Sequence, residues 1–140
     1  MIKKIIYFSG LGVSKNSRSS YFISKFNAEQ LIKNSGLQYT IFRPSYIIGK
    51  DDYLTKNISK QISKNQVLIP GSGKFMLQPI SIVDVCSCIN VALNSSKFSN
   101  KIIDLVGPNE ISFERLIKQS IPDNVKTKKI TLESAYKQAL

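Results

Sequence analysis

The sequence predicts an α/β fold built on about three parallel strands with helices packed against them. Three observations carry this. Residues 3–9 (KKIIYFS), 38–43 (QYTIFR) and 101–106 (KIIDLV) are short, largely apolar runs, as expected of strands covered on both faces. Each run ends at a chain breaker, respectively Gly10, Pro44 and Gly107-Pro108. Helical patterns lie between the runs, so the strands are joined by right-handed crossovers and lie parallel.

The elements follow in order. The first strand stops at Ser9-Gly10-Leu11-Gly12. Ser19 or Ser20 caps a helix running to about Asn34, and Ser35-Gly36 ends it. Phe22, Phe26, Ala28, Leu31 and Ile32 supply its apolar faces. After the second strand and Gly49, Asp51 or Asp52 opens a helix to about Lys64. There Lys56, Lys60 and Lys64 recur every four residues with Ile58 and Ile62 offset from them, the charged face of an amphipathic helix. Ile69-Pro70-Gly71-Ser72-Gly73 reads as a flexible loop over a substrate pocket. Residues 78–82 are extended, and the helix of residues 83–94 carries Asp84 in its first turn. Ser112 caps a helix with Glu114 or Arg115 in its first turn, and Thr131 to Leu140 forms a last short helix. This divides the chain into a main unit, residues 1–120, and a tail helix within 121–140.

At 140 residues the chain is long enough to bury a core, and 42% hydrophobic against 21% charged residues is a folded composition. No apolar run reaches the roughly 18 residues of a membrane span, and the start is too strand-like for a signal peptide. Histidine is absent, which excludes histidine-dependent triads and most catalytic zinc sites within these residues, and no metal site is expected. Cys86 and Cys88 are expected to be buried, inert thiols, in keeping with a reducing cytoplasm. The net charge of +11 comes from lysines spread along the chain, with arginine only at positions 18, 43 and 115. The densest cluster, Lys126, Lys128 and Lys129, has no interleaved aromatics, so the charge reads as a solvated surface and not as a nucleic-acid site.

One constellation carries chemistry. Tyr21 and Lys25 stand four apart on a predicted helix, hence on one face. An ammonium about 4 Å from a phenol favours the phenolate by up to ~4 kcal/mol at an effective dielectric near 20, before desolvation is subtracted. Such a tyrosine can act as a general acid or base. The pair follows a strand ending in serine and glycine and precedes one ending in Arg43-Pro44.

Around it stand ExxxxxSGLxxTIxRPSxIxG, from Glu29 to Gly49, and QPIxxxDV, from Gln78 to Val85. With the Tyr-x-x-x-Lys pair, this order of motifs resembles the C-terminal half of an extended or atypical short-chain dehydrogenase/reductase. That is the NAD(P)-dependent epimerase/dehydratase group, which includes NmrA-like proteins and the reductase-like accessory subunit of respiratory complex I. The resemblance runs from residue 3 to about residue 118. It implies half of a doubly wound Rossmann-type sheet, NAD or NADP as cofactor, and oxidoreduction or epimerisation of an unidentified small molecule. It gives Tyr21 the acid/base role and Lys25 the nicotinamide ribose. It sets Ser9 near the ribose at the strand end, and Pro44, Ser45 and Ile47 beside the nicotinamide. A non-catalytic binding or assembly protein on the same fold is the alternative.

Three departures temper the implied activity. No Gly-x-x-Gly-x-x-Gly turn occurs in the sequence, so the 140 residues alone are expected to bind the dinucleotide weakly or not at all. The position implied for a Ser/Thr hydroxyl holds Leu11, with Ser9 and Ser14 nearby. Gln78-Pro79 stands where nucleotide-sugar members often carry arginine. The first strand is as apolar as a central one, and nothing before it supplies a neighbour. Residues 3–9 are therefore expected to self-associate or to take up a companion segment.

Overall fold

All three apolar runs form strands of one parallel sheet. The computed structural model describes residues 2–139. In chain order its elements are β1 (Lys4–Phe8), α1 (Ser20–Lys33), β2 (Gln38–Pro44), β3 (Ile47–Ile48), α2 (Tyr53–Ile62), β4 (Gln66–Pro70), β5 (Met76–Leu77), β6 (Ile80–Ser81), α3 (Ile82–Asn94), β7 (Lys101–Leu105), β8 (Ile111–Ser112), α4 (Phe113–Ser120), β9 (Lys126–Ile130) and α5 (Leu132–Ala139). They fall into two compact units, each assembled from separate stretches.

The first unit comprises Met1–Ile48 and Pro79–Pro108. Its sheet has the order β1-β2-β7, with Ile5 opposite Tyr39 and Phe42 opposite Ile103. β3 and β6 add a short parallel pair. Phe42, Ile80, Val85, Ala92 and Leu105 form the buried core, with Ile6, Phe8 and Ile89 packed on it. The Phe42 ring lies 5.7 Å from that of Phe8 and meets Phe98 edge-on at 5.9 Å. Gly107 ends β7 for a steric reason: a Cβ there would sit 1.8 Å from the Pro79 carbonyl oxygen. Among the described residues no strand pairs with the outer edge of β1.

The second unit comprises Gly49–Gln78 and Asn109–Leu140. β4 and β9 pair in parallel, from Gln66 opposite Lys126 to Pro70 opposite Ile130. Ile58 of α2, Val67 and Ile69 of β4, Ile117 of α4 and Val125 form its core. Two predicted caps are present: Asp52 accepts from the Thr55 amide at 3.0 Å, and Ser112 from the Arg115 amide at 3.3 Å.

Several expectations are corrected. Residues 121–140 are not a tail appended at residue 120, because the β4–β9 ladder makes them part of the second unit. Leu140, the last residue of the predicted terminal helix, lies outside the described residues. The stretch read as a flexible loop begins within β4. Its glycine turn is tied down by the Gly71 amide donating to the Ile130 carbonyl and the Glu114 amide donating to the Gly73 carbonyl. Leu31 is exposed, on the side of α1 away from the sheet. Cys86 is also exposed and only Cys88 is half-buried: α3 turns Val85 and Ala92 inward, which sends Cys86 to solvent.

Candidate functional site

The site is built where the parallel strands of the first unit end. Beyond β1 the ladder runs on: the Ser9 amide donates to the Phe42 carbonyl at 2.7 Å, and the Leu11 amide to the Pro44 carbonyl at 3.0 Å. Beyond β2 the Ser45 amide donates to the Leu105 carbonyl at 2.9 Å. These bonds fix the backbone of Ser9, Pro44 and Ser45 at the carboxyl ends of the sheet. Ile47 follows on β3, opposite Ile80.

The first turns of α1 bring Tyr21 and Lys25 to the same end. The Lys25 ammonium donates to the Phe8 carbonyl at 2.9 Å. It lies 4.9 Å from the centre of the Tyr7 ring and 5.7 Å from that of Tyr21. An ammonium has three protons to donate, and among the described residues Lys25 gives only this one bond. Tyr21 is 58% exposed. A fixed cation thus stands beside an accessible phenol. Ser9 shares the strand end but not this exposure. It is buried against Glu29, and its hydroxyl forms no hydrogen bond of regular geometry. Leu11 is partly exposed in the turn.

Beneath the pair lies a residue that a reading of helix faces alone does not single out. Glu29 of α1 is wholly buried, and Arg43 of β2 forks it, Nε to Oε1 at 2.9 Å and a terminal nitrogen to Oε2 at 2.6 Å. Burial opposes the charge on Glu29. The Arg43 hydrogen bonds and the charges of Arg43 and Lys33, with the Ser9 hydroxyl close by, outweigh it and hold the carboxyl below its ordinary range. Arg43 is raised, chiefly by its hydrogen bond to Glu29. Arg43 thus anchors the end of β2 to α1, with Glu29 as the anchor point. Glu29 opens the quoted ExxxxxSGL motif, and its spacing from Arg43 was the available signal. Among the described residues no group of three or more Cys, Asp or Glu side chains is placed to hold a metal, and no helix is long and apolar enough to cross a membrane.

A parallel sheet whose carboxyl ends carry a Tyr-x-x-x-Lys helix is the Rossmann-like arrangement also found in solved dehydratases and epimerases. The chain belongs to the NAD-binding family described as Male sterility protein, whose model matches residues 11–89. It is 32% identical over 117 residues to NADH dehydrogenase [ubiquinone] 1 alpha subcomplex subunit 9, mitochondrial, of Arabidopsis thaliana, a match covering 82% of this chain and 29% of that protein. Pal from Bacillus thuringiensis superposes with a TM-score of 0.78 at 19% identity, over 91% of this chain and 49% of that one. The dTDP-glucose 4,6-dehydratase of Bacillus anthracis, solved in complex with NAD, gives 0.75 at 18% identity, again over 91% and 49%. The chain therefore spans about a third of the curated relative's length and half of each solved structure.

Proposed function

We propose that the first unit is the nicotinamide-side half of an NAD(P) site in an oxidoreductase or epimerase of this fold. The observation that carries the reading is the Lys25 ammonium, fixed on the Phe8 carbonyl and 5.7 Å from the ring of an exposed Tyr21. The residues fit the cofactor: Lys25 keeps donors for ribose hydroxyls, and an exposed Tyr21 ring lies beside it. When bound, the nicotinamide supplies hydride transfer. Tyr21 would hold or pass a proton at its phenolic oxygen, Lys25 would grip the ribose, and Pro44, Ser45 and Ile47 would border the ring. The pyrophosphate grip is not found in these 140 residues, so the dinucleotide as a whole is expected to bind them weakly.

Saturation-transfer NMR with nicotinamide mononucleotide and with AMP tests this on the chain itself. The nicotinamide and its ribose should receive saturation, and Lys25→Met should abolish it. AMP should receive little. Equal transfer to AMP, or transfer to nicotinamide mononucleotide that survives Lys25→Met, refutes the reading.

A second reading is supported by the buried Ser9 hydroxyl and by Leu11 at the place implied for a Ser/Thr. On it the fold serves binding or assembly without turnover; the Arabidopsis relative is named as one subunit of a larger NADH dehydrogenase, which is compatible with a role in assembly. It predicts nicotinamide binding that survives Tyr21→Phe, with no turnover in parent or variant.

A further inference from the structure

A cavity of about 420 Å³ is formed entirely by residues of the second unit. Its floor follows from strand alternation. Val67 and Ile69 point into the core, so Gln66, Leu68 and Pro70 occupy the opposite face of β4. The register sets Lys126, Lys128 and Ile130 beside them on that face. Leu68, Pro70, Ile130 and Ala135 give the cavity an apolar lining.

Its rim follows from helix spacing. The core stripe of α2 is Leu54, Ile58 and Ile62, while Asn57, Lys60, Gln61 and Lys64 form a second stripe that lines the cavity. Gln61 fixes this stripe to the strand, its Oε1 accepting from the Leu68 amide at 2.7 Å.

Charge decides what the cavity fits. Among the described residues no acidic side chain lines it. Lys118, Lys129 and Lys137 each pair with a glutamate. Among the described residues Lys60, Lys64, Lys126 and Lys128 have no ion-pair partner. Two uncompensated ammonium groups, Lys60 and Lys64, line the cavity above an apolar floor, and Lys126 and Lys128 add positive charge on the neighbouring strand, in a volume within the roughly 300–1,000 Å³ of ligand pockets. We propose that this cavity binds an organic anion, a phosphate or carboxylate on an apolar body, with Lys60 and Lys64 taking the head group and Leu68, Pro70 and Ile130 the body. The proposal is independent of the nicotinamide reading, since none of the residues assigned to that site lines the cavity.

The test is amide-resolved NMR titration of the 140-residue chain with octyl phosphate, octanoate, octanol and inorganic phosphate. Either octyl anion should produce saturable shifts centred on Gln61, Leu68 and Ala135. Octanol and inorganic phosphate should bind far more weakly. Lys60→Gln/Lys64→Gln should weaken the octyl anions by roughly tenfold or more. Both lysines are exposed, so the spectrum of the free double variant should otherwise match the parent. Equal binding of octanol reduces the site to a greasy patch, and equal binding of inorganic phosphate reduces it to unspecific charge. Either result overturns the proposal, as do shifts confined to the first unit or affinity unchanged in the double variant.

Discussion

Replacing Arg43 by methionine should destabilise the first unit far more than replacing Glu29 by methionine, although both substitutions break the same pair. The asymmetry comes from exposure: the Glu29 side chain is 0% accessible and that of Arg43 23%. Without Arg43, a carboxylate is left in the interior, where breaking a buried pair costs about 3–5 kcal/mol. Its escape is to take up a proton. From the ordinary carboxyl value of 4.5, neutralisation at pH 7 costs about 3.4 kcal/mol, at about 1.36 kcal/mol per unit. The expected loss is therefore about 3–4 kcal/mol, a large part of a typical stability of about 5–15 kcal/mol. Without Glu29, the partly exposed guanidinium can recruit water, and the loss should be about 1–2 kcal/mol. The double methionine variant should cost less than Arg43→Met alone. The Arg43→Met penalty should also shrink by about 1.4 kcal/mol per pH unit between pH 7 and 5, because the trapped carboxyl is then cheaper to protonate. Urea unfolding followed by circular dichroism at pH 7 and pH 5.5 measures all four species. Equal penalties for the two single variants, or an Arg43→Met penalty independent of pH, would refute the reasoning.

The parent should behave oppositely in acid. Glu29 sits below its ordinary value when folded, so its contribution is complete above about pH 4.5 and fades as pH falls through the lowered value; Glu29→Gln should flatten that acid limb in urea titrations. If the nicotinamide reading holds, Tyr21→Phe in the protein carrying this segment should cut turnover about 10²–10⁴-fold with cofactor affinity nearly unchanged, and steady-state kinetics with no turnover in parent or variant would favour the assembly reading. Gly73→Ala should destabilise the second unit by more than about 1 kcal/mol: φ is +68°, and the new Cβ would lie 2.6 Å from Ile69 Cγ2 and 2.9 Å from Glu114 Cβ, a loss readable in the melting temperature. Because β1 shows no strand on its outer edge among the described residues, the 140-residue chain should associate with rising concentration, and light scattering that shows a stable monomer would argue against an adhesive edge.

What the sequence made legible was set by apolar continuity and by caps. β1, β2 and β7 announce themselves as short apolar runs closed by chain breakers, although β7 is not covered on both faces as expected, since Ile102 and Asp104 are exposed. α2 and α4 announce themselves because Asp52 and Ser112 must satisfy orphan amides. β9 is illegible for the converse reason. Lys-Thr-Lys-Lys-Ile buries almost nothing, and what makes it a strand is the β4 backbone beside it. β4 in turn hid behind Pro70 and Gly71, which read as a loop although Val67 and Ile69 are buried. The two-residue strands β3, β5, β6 and β8 are too short for any period to show. At the candidate site, four-residue spacing was enough to bring Tyr21 and Lys25 together. The burial of Ser9 depends on Glu29, across the boundary between strand and helix, and such depth has no signature in a single sequence.

The β4–β9 ladder also bears on how the molecule comes into being. Its partners are about sixty residues apart, and the stretch between them includes Pro79–Pro108 of the first unit. At a synthesis rate of about 5–20 residues per second, β4 waits roughly 3–12 seconds for β9. Closing a loop of that length adds about 3.6 kcal/mol of entropy to be overcome. During the wait Val67, Ile69 and the apolar stripe of α2 have neither β9 nor α4 to cover them. A nascent chain halted after β7 would thus hold all three strands of its first sheet and still offer an unfinished hydrophobic surface to any chaperone at the ribosome exit.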